Sequence, residues 1–149
     1  MKAVVTRVNS ASVEIEGKIN GAIGKGFLVL LGIGPNDTET EAELLAEKIC
    51  NCRVFSDAEG KMNLNLETVG GSLLVVSQFT LFADLKSRRP SFSGAGKPDI
   101  AIPLYESFMN HCQRRGFTVE HGEFGADMKV VSENDGPVTL LFDTVDWKR

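Results

Sequence analysis

The sequence predicts an α+β fold in which two helices cover a mostly antiparallel or mixed β-sheet. Short Val- and Ile-rich stretches outnumber the two segments whose apolar residues recur at helical spacing. Many neighbouring stretches are also too close along the chain for parallel crossovers. With 42% hydrophobic and 24% charged residues, the 149-residue chain has the composition of one globular domain. We therefore expect a single domain over residues 1–149.

The first part of the chain predicts strands around a buried centre. Residues 2–8 and 11–16 are rich in Val and Ile, and Gly17 marks the turn of a hairpin. Residues 27–33 form a continuous apolar run bounded by glycines, which is long enough for a strand buried on both faces. We place this strand at the centre of the sheet.

A first helix is predicted over residues 38–51. Thr38 and Glu41 have the spacing of a capping box, in which each end residue satisfies a backbone N–H of the other. The apolar residues that follow at helical spacing are Ala42, Leu45, Ala46 and Ile49. Further short strands are predicted over residues 53–55, 62–66 and 73–76.

The second half of the chain predicts a basic loop, a second helix and more strands. Residues 84–99 are polar and broken by Gly and Pro, which is typical of a loop. A helix is predicted over 98–115, with Pro103 expected to interrupt it and reset its start. The remaining strands are predicted over 117–119, 128–131 and 138–142, with a turn at 134–137.

Composition restricts the possible functions. The formal net charge of −4 gives no general attraction to nucleic acid, so an RNA partner would need a local patch. The first residues lack the apolar core of a signal peptide, and no segment approaches the roughly 18 apolar residues of a membrane span. We therefore expect a cytoplasmic protein that does not enter a membrane.

The residues with metal-binding or nucleophilic side chains lie in no recognised motif. Cys50, Cys52 and Cys112 lack paired zinc-ligand spacing and are interpreted as reduced core thiols, so no metal is predicted. The two histidines also stand outside any motif. Residues 94–97 lack the leading glycine and the following Ser or Thr of a phosphate-binding loop. No G-x-S-x-G elbow supports a Ser-His-Asp triad.

Two segments have compositions that packing alone explains poorly. Ser77–Leu81 places Ser, Gln and Thr directly after the apolar stretch Leu73–Val76, and strand ends commonly form binding sites. Taken alone, this pattern favours a strand that simply reaches solvent. The second segment, Asn134–Thr139, reads on composition as an ordinary turn.

Together these segments resemble the two signature motifs of the D-aminoacyl-tRNA deacylases. The resemblance covers nearly the whole chain, with further similar positions at 7–8, 23–24, 61–63, 88–92, 104–105 and 124–128. It implies a barrel-like sheet with two covering helices and an enzyme that needs no cofactor. The implied reaction is hydrolysis of the ester bond between a D-amino acid and tRNA, which serves chiral proofreading in translation. Glycyl-tRNA mischarged on tRNA-Ala is a further implied substrate.

The resemblance also implies a homodimer with each active site at the subunit interface. Gly136 and Pro137 of one subunit would enter the pocket of the other with a cis peptide bond, which an X-Pro bond adopts at low cost. Their carbonyls would occupy the space that an L side chain needs, so the site would reject the wrong enantiomer. Arg7 resembles the residue that orients this motif, with a surface strand arginine as the alternative.

The catalytic segment implied by the resemblance is Ser77, Gln78, Phe79 and Thr80. An aminoacyl ester is already activated, so backbone N–H groups of Phe79 and Thr80 aimed at the oxyanion can suffice. The ribose 2′-OH is then expected to help activate water, and Thr80 as a covalent nucleophile is the alternative.

Contacts with the tRNA are also implied. Phe124, Gly125 and Met128 resemble the region around the 3′-terminal adenosine, although Met128 is as readily explained as a core residue. The cations expected to meet phosphates, or else to form a solvated loop, are Lys86, Arg88, Arg89 and Lys97.

Two other functions remain open at the level of sequence. A paralogous deacylase that removes a wrongly attached L-alanine shares this fold, but its signature segments differ from those at 77–80 and 136–139. A binding module without catalysis is suggested for eukaryotic relatives that contact DNA through a C-terminal extension, and we expect no such extension beyond Arg149. Of the three functions, only D-aminoacyl-tRNA deacylation predicts release confined to D-aminoacyl and glycyl substrates.

Overall fold

A computed structural model describes residues 1–147. Its strands are β1 (Lys2–Ile15), β2 (Lys18–Ile23), β3 (Gly26–Gly32), β4 (Phe55–Ser56), β5 (Met62–Leu64), β6 (Ser72–Ser77), β7 (Val119–His121) and β8 (Lys129–Asp143). The helices are α1 (Glu39–Cys50) and α2 (Pro98–Arg114), with two short 3₁₀ helices at Phe79–Phe82 and Thr144–Trp147. The predicted α+β class with two helices is confirmed.

The main sheet is mixed and curls nearly into a barrel. Its order is β2-β1-β3-β6-β7, and β8 pairs with β1. The pairs made by β1 are antiparallel, whereas β3 pairs with β6 and β6 with β7 in parallel. The two end strands meet where the Asn20 side-chain amide donates to the His121 carbonyl at 2.7 Å. The separate hairpin of β4 and β5 lies outside this sheet.

Alternation along the strands gives the sheet two different apolar faces. In β6, Leu73 and Val75 belong to the core that α1 and α2 cover, whereas Leu74 and Val76 belong to a second cluster on the opposite face. The central run at β3 is buried, as predicted, and divides its side chains between both clusters. Ser77 continues the helix-covered face, which places it beneath α2.

The capping box predicted for α1 is present. The Thr38 N–H donates to the Glu41 carboxylate at 2.9 Å, and the helix begins at Glu39. The buried thiols of Cys50 and Cys112 lie 3.8 Å apart between the helices, which confirms that both are core residues. No helix within residues 1–147 is long and apolar enough to cross a membrane.

Residues 2–8 and 11–16, predicted as a strand and the start of a hairpin, lie in one strand up to Ile15. β1 is continuous because it changes neighbours instead of ending: its first half pairs with β3, and its second half pairs with β2. On its other edge β8 pairs along nearly the whole length, including Ser10 opposite Glu133. Pairing with β8 keeps β1 extended at the point where its neighbour changes from β3 to β2.

The predicted turn at 134–137 is also wrong, because these residues lie within the continuous strand β8. Thr6 pairs with Thr139 and Val8 pairs with Asn134, so residues 135–138 stand opposite Arg7 alone. The extra residues form a wide bulge in the strand. Composition signalled the irregular backbone there, but pairing with β1 on both sides prevents a reversal of the chain.

Pro103 does not reset the second helix, contrary to expectation. α2 begins at Pro98, in the favoured first position for proline, and continues through Pro103. The missing N–H of Pro103 leaves the carbonyl of Asp99 without its helical partner. Both residues are exposed near the helix start, so water can hydrate that carbonyl.

Candidate active site

A narrow cleft lies where β6 ends beneath α2. It is lined by residues of β3, β6, the first 3₁₀ helix and α2, and by three residues outside these elements. The lining residues are Leu31, Ile33, Ser77, Phe79, Gly96, Ala101, Tyr105 and Phe124. The free space is about 10 Å³, which is hardly enough for one water molecule. Two predicted catalytic residues and one predicted adenosine-binding residue therefore meet at one point.

The backbone after Ser77 turns sharply into a 3₁₀ helix that the sequence pattern did not predict. The Gln78 N–H donates to the Leu31 carbonyl at 2.7 Å and so extends the parallel pairing by one residue. The chain then winds over Phe79–Phe82, and the Gln78 side-chain amide donates to the Thr80 hydroxyl. Polar residues after an apolar run were the only sequence signal of this change.

The start of this 3₁₀ helix leaves backbone donors unused. Within residues 1–147, neither the Phe79 N–H nor the Thr80 N–H has a hydrogen-bond acceptor. The first N–H groups of any helical turn lack partners inside the turn. These are the two N–H groups that were predicted from the sequence to donate hydrogen bonds to an oxyanion.

Tyr105 fixes α2 above the cleft. Its hydroxyl donates to the Val75 carbonyl at 3.0 Å, and the residue is buried. Burial raises the pKa of this phenol far above its ordinary value, so the hydroxyl stays protonated. The sequence predicted no role for Tyr105 beyond its resemblance to a family position, because a hydrogen bond from its hydroxyl to a distant strand has no local sequence signal.

The three predicted adenosine-binding residues do not stay together. Phe124 lines the cleft with its ring centroid 6.2 Å from that of Tyr105, and Gly125 occupies an exposed turn. Met128 instead packs against the second apolar cluster, on the other face of the sheet. A Cβ at Gly122 would lie 2.3 Å from its sulfur, so a glycine there admits the Met128 side chain.

Arg7 holds the bulge of β8 through several contacts. Its Nε donates to the Asp135 carbonyl at 3.1 Å and lies 3.2 Å from the Asp135 carboxylate, while Nη1 donates to the Val54 carbonyl. Arg7 is only 8% exposed, so the alternative of a surface arginine is wrong. At Gly136, where φ is +131°, a Cβ would lie 2.8 Å from Arg7 Nη2.

The Gly136–Pro137 bond is cis, and both residues are exposed. The register keeps them away from the cleft of their own chain. Arg7, opposite the bulge, pairs with Phe27, which pairs with Leu73, four residues before Ser77. That offset is roughly 13 Å along the strands, in addition to three strand spacings across the sheet.

The profile of the D-Tyr-tRNA(Tyr) deacylase family matches residues 4–143. This chain belongs to that family. It is therefore an enzyme of the ester-hydrolase class. A D-aminoacyl-tRNA deacylase of Roseiflexus castenholzii is 57% identical over 149 residues, covering 99% of this chain and 95% of the relative. One of Shewanella baltica is 59% identical over 141 residues, covering 94% and 97%.

Solved structures agree with the family fold. A structure described as a c-Myc DNA unwinding element binding protein has a TM-score of 0.90 and 42% identity, covering 96% of this deacylase-family chain and 98% of the other. A probable eukaryotic D-amino acid tRNA deacylase has a TM-score of 0.82, covering 95% and 97%. At 18% identity the second likeness shows the fold alone.

In this member of the deacylase family, an ordered loop of residues 84–97 borders the cleft. Asp84 and Ser91 exchange two backbone hydrogen bonds of 2.7 and 3.0 Å across its base. At the end of the loop, the Gly96 N–H donates to the Ile33 carbonyl at 2.8 Å, and both residues line the cleft. The loop is thus fastened to the site that it borders.

Proposed function

We propose that this chain hydrolyses the ester bond of D-aminoacyl-tRNA and releases the D-amino acid and free tRNA. Hydrolysis of this kind removes D-amino acids before they reach the ribosome, which is chiral proofreading in translation. The observation that carries the proposal is the meeting of Ser77, Phe79 and Phe124 in one cleft of a chain 57% identical to a D-aminoacyl-tRNA deacylase.

The proposed reaction needs no side-chain base. Water adds to the ester carbonyl, the carbonyl–ribose oxygen bond breaks, and the ribose oxygen leaves with a proton. The free N–H groups of Phe79 and Thr80 support stabilisation of the negative oxygen that forms on the carbonyl. The ribose 2′-OH is positioned by the substrate itself and can assist the attacking water.

Thr80 as a nucleophile receives less support from the geometry. Its hydroxyl accepts from the Gln78 side-chain amide, which is not a base and cannot remove the hydroxyl proton. Thr80→Val distinguishes the two mechanisms. Near-complete loss of hydrolysis with unchanged tRNA binding would favour the nucleophile, whereas attack by water predicts a decrease of no more than about ten-fold.

The proposed working unit is a homodimer in which the Gly136–Pro137 bulge of one subunit completes the active site of the other at the mouth of its cleft, since the cleft itself encloses only about 10 Å³. The strand register supports this, because it keeps the bulge away from Ser77 of its own chain. A groove of about 340 Å³ lies beside Leu81, between β1 and the end of β8. It includes Leu141, which is 82% exposed and is the kind of apolar side chain that a subunit interface covers.

The proposed stereochemical filter is made of backbone. With the cis bond held by Arg7, the carbonyls of Gly136 and Pro137 would fill the position of an L side chain in the neighbouring cleft. A D side chain points elsewhere and remains unrecognised, so many D-amino acids are accepted. Glycine has no side chain to exclude, and glycyl-tRNA mischarged on tRNA-Ala becomes a substrate.

The terminal adenosine is proposed to bind near Phe124 and Gly125, where the exposed turn leaves room for a base. Phe124 can stack on that base from the cleft wall. Met128 is left out of this proposed site, because it packs against the second cluster on the opposite face of the sheet.

Matched substrates test the proposed activity. Radiolabelled D-tyrosyl-tRNA, L-tyrosyl-tRNA, L-alanyl-tRNA and glycyl-tRNA-Ala are incubated with the protein, and free amino acid is measured. Release from the D and glycyl substrates alone is expected. Release of L-alanine from tRNA would instead indicate the paralogous type of deacylase, and no release with binding of DNA would indicate a binding module.

The dimer is tested at the groove. Leu141→Asp is expected to convert a dimer into a monomer in sedimentation analysis and to reduce hydrolysis strongly, because the partner's bulge is lost. Ile19→Asp is the matched control, since Ile19 is also an exposed apolar strand residue, at 60% exposure, but lies in β2. Wild-type protein that sediments as a monomer would contradict the proposal.

A further inference from the structure

The loop of residues 84–97, called the basic loop below, has a charge opposite to that of the chain. It contains four cations and one carboxylate, whereas the whole chain has 16 cations and 20 carboxylates. The cations are Lys86, Arg88, Arg89 and Lys97, and all four are exposed. Within residues 1–147, none of them forms an ion pair with a carboxylate.

The one carboxylate of the basic loop does not neutralise these cations. The Asp84 carboxylate accepts a hydrogen bond from the Lys86 backbone N–H at 2.9 Å, which fixes it against the loop backbone. The Ser87 hydroxyl donates to the Arg89 carbonyl at 2.7 Å, which orders the tip. The charges are therefore presented on a fixed backbone, and an anionic partner need not order the loop.

One aromatic ring of the basic loop, Phe92, contacts a ring that lines the cleft, Phe79. The rings of Phe79 and Phe92 meet edge to face at 82°, with centroids 5.2 Å apart. Phe79 is 52% exposed and Phe92 is 39% exposed, so the pair leaves much apolar ring surface open. Phe79 also lines the cleft, which makes the ring pair continuous with the proposed reaction site.

We infer that the basic loop and the Phe79–Phe92 ring pair bind the unpaired 3′ strand of the tRNA upstream of its terminal adenosine. The ring pair stacks against an unpaired base, and the cations of the loop contact the phosphates on either side. This combination of aromatic stacking and positive charge is how proteins hold single-stranded nucleic acid without reading its sequence. The inference rests on the proposed function.

Sequence-independent contacts suit the chemistry of this substrate. A deacylase that accepts many amino acids must act on many tRNAs, whose shared feature is the single-stranded end. A chain with net charge −4 repels the remainder of the nucleic acid, so attraction concentrated at one loop also orients the incoming end toward the cleft. A duplex offers no unstacked base to the ring pair, which favours a single strand as the ligand.

The test compares two substrates that differ only in the 3′ strand. D-tyrosyl-tRNA contains it, and the D-tyrosyl ester of adenosine does not. Phe92→Leu keeps an apolar side chain against Phe79 but removes the ring. It is expected to lower kcat/KM about ten-fold for the tRNA and less than two-fold for the adenosine ester. Phe92→Trp is expected to retain wild-type values.

The charges are tested separately through the salt dependence of kcat/KM. Replacing the four cations of the basic loop with Ala is expected to reduce the slope of log kcat/KM against log salt for the tRNA by up to about 3. The matched control replaces four exposed cations elsewhere and is expected to leave the slope unchanged. These control positions are Lys18, Lys61, Arg114 and Lys129.

Several outcomes would overturn the inference. Equal losses on both substrates would mean that Phe92 only supports the cleft, and unchanged tRNA kinetics would mean that the loop does not touch the substrate. A change of sedimentation in the loop variants would assign the loop to a subunit contact. Wild-type protein that is inactive on both substrates would instead contradict the proposed function, and the inference that rests on it.

Discussion

The cleft at Ser77 and the bulge at Gly136–Pro137 are held in place by different kinds of force. Apolar packing between α2 and the sheet fixes the cleft, with Phe108 fully buried behind it. The bulge is exposed, and its main anchor is the guanidinium of Arg7. The proposed site, made from both, would depend on the core for its walls and on Arg7 for its selectivity, so we expect that rate and stereochemistry can be damaged separately.

The largest expected effect comes from breaking the packing behind the cleft. Phe108→Ala removes a fully buried ring from α2 and is expected to destabilise the fold by about 3–5 kcal/mol. Urea unfolding followed by circular dichroism measures the loss. A loss below about 1 kcal/mol would show that packing does not determine the position of α2.

The next effect is on the bulge. Arg7→Ala leaves the Val54 and Asp135 carbonyls without their donor and is expected to cost about 2–3 kcal/mol. Hydrolysis of L-tyrosyl-tRNA is expected to rise relative to D-tyrosyl-tRNA, because the bulge loses its orientation. Arg7→Lys, which keeps the charge without the planar fork, serves as the control and should restore stability only in part. Unchanged D-to-L selectivity in Arg7→Ala would show that the orientation of the bulge by Arg7 does not determine which enantiomer is rejected.

A smaller effect is expected at the hydrogen bond between α2 and β6. Tyr105→Phe removes the hydroxyl that donates to the Val75 carbonyl and is expected to cost about 1 kcal/mol. The cost is small because the Gly122 N–H, at 3.2 Å, still donates to the same carbonyl. Thermal unfolding measures the loss, and kcat/KM for D-tyrosyl-tRNA should fall without any change in D-to-L selectivity.

The smallest expected effect is the pH dependence of the contact between α1 and α2. Hydrogen bonds from Ser107 and then His111 lower the pKa of Glu39 below its ordinary value of 4.5. A lowered pKa means that this stabilisation is present above pH 4.5 and disappears as the pH falls through the value in the folded protein. Glu39 is well exposed, so the effect is a small one. Ser107→Ala should weaken the pH dependence of urea unfolding below pH 4.5, and an unchanged profile would contradict the assignment.

The sequence predicted the elements whose signals are local. The capping box at Thr38 and the apolar run in β3 depend on residues within a few positions of one another, and both elements form as expected. The errors lie where distant strands decide the conformation. Residues 134–137 have the composition of a turn, but β1 pairs on both sides of them, and no local pattern reports a strand more than 100 residues away.

The candidate site shows the same division. The motif comparison selected Ser77 and Phe79, which the fold brings to the cleft. The contacts of Arg7 with Val54 and Asp135 were not visible, because they join three separate segments of the chain. Met128 shows the limit of proximity in sequence, since it lies four residues from Phe124 but packs on the opposite face of the sheet.

The pairing of β1 with β8 has a consequence for the synthesis of the protein. Residues 2–14 leave the ribosome well before residues 129–143, the strand that completes their second edge. About 110 residues must be added between them, which takes roughly 5–20 s at cellular elongation rates. During that time the nascent chain carries an open strand edge, which is a site of aggregation. Chaperone binding to early ribosome-bound intermediates should therefore matter more for this protein than its small size suggests.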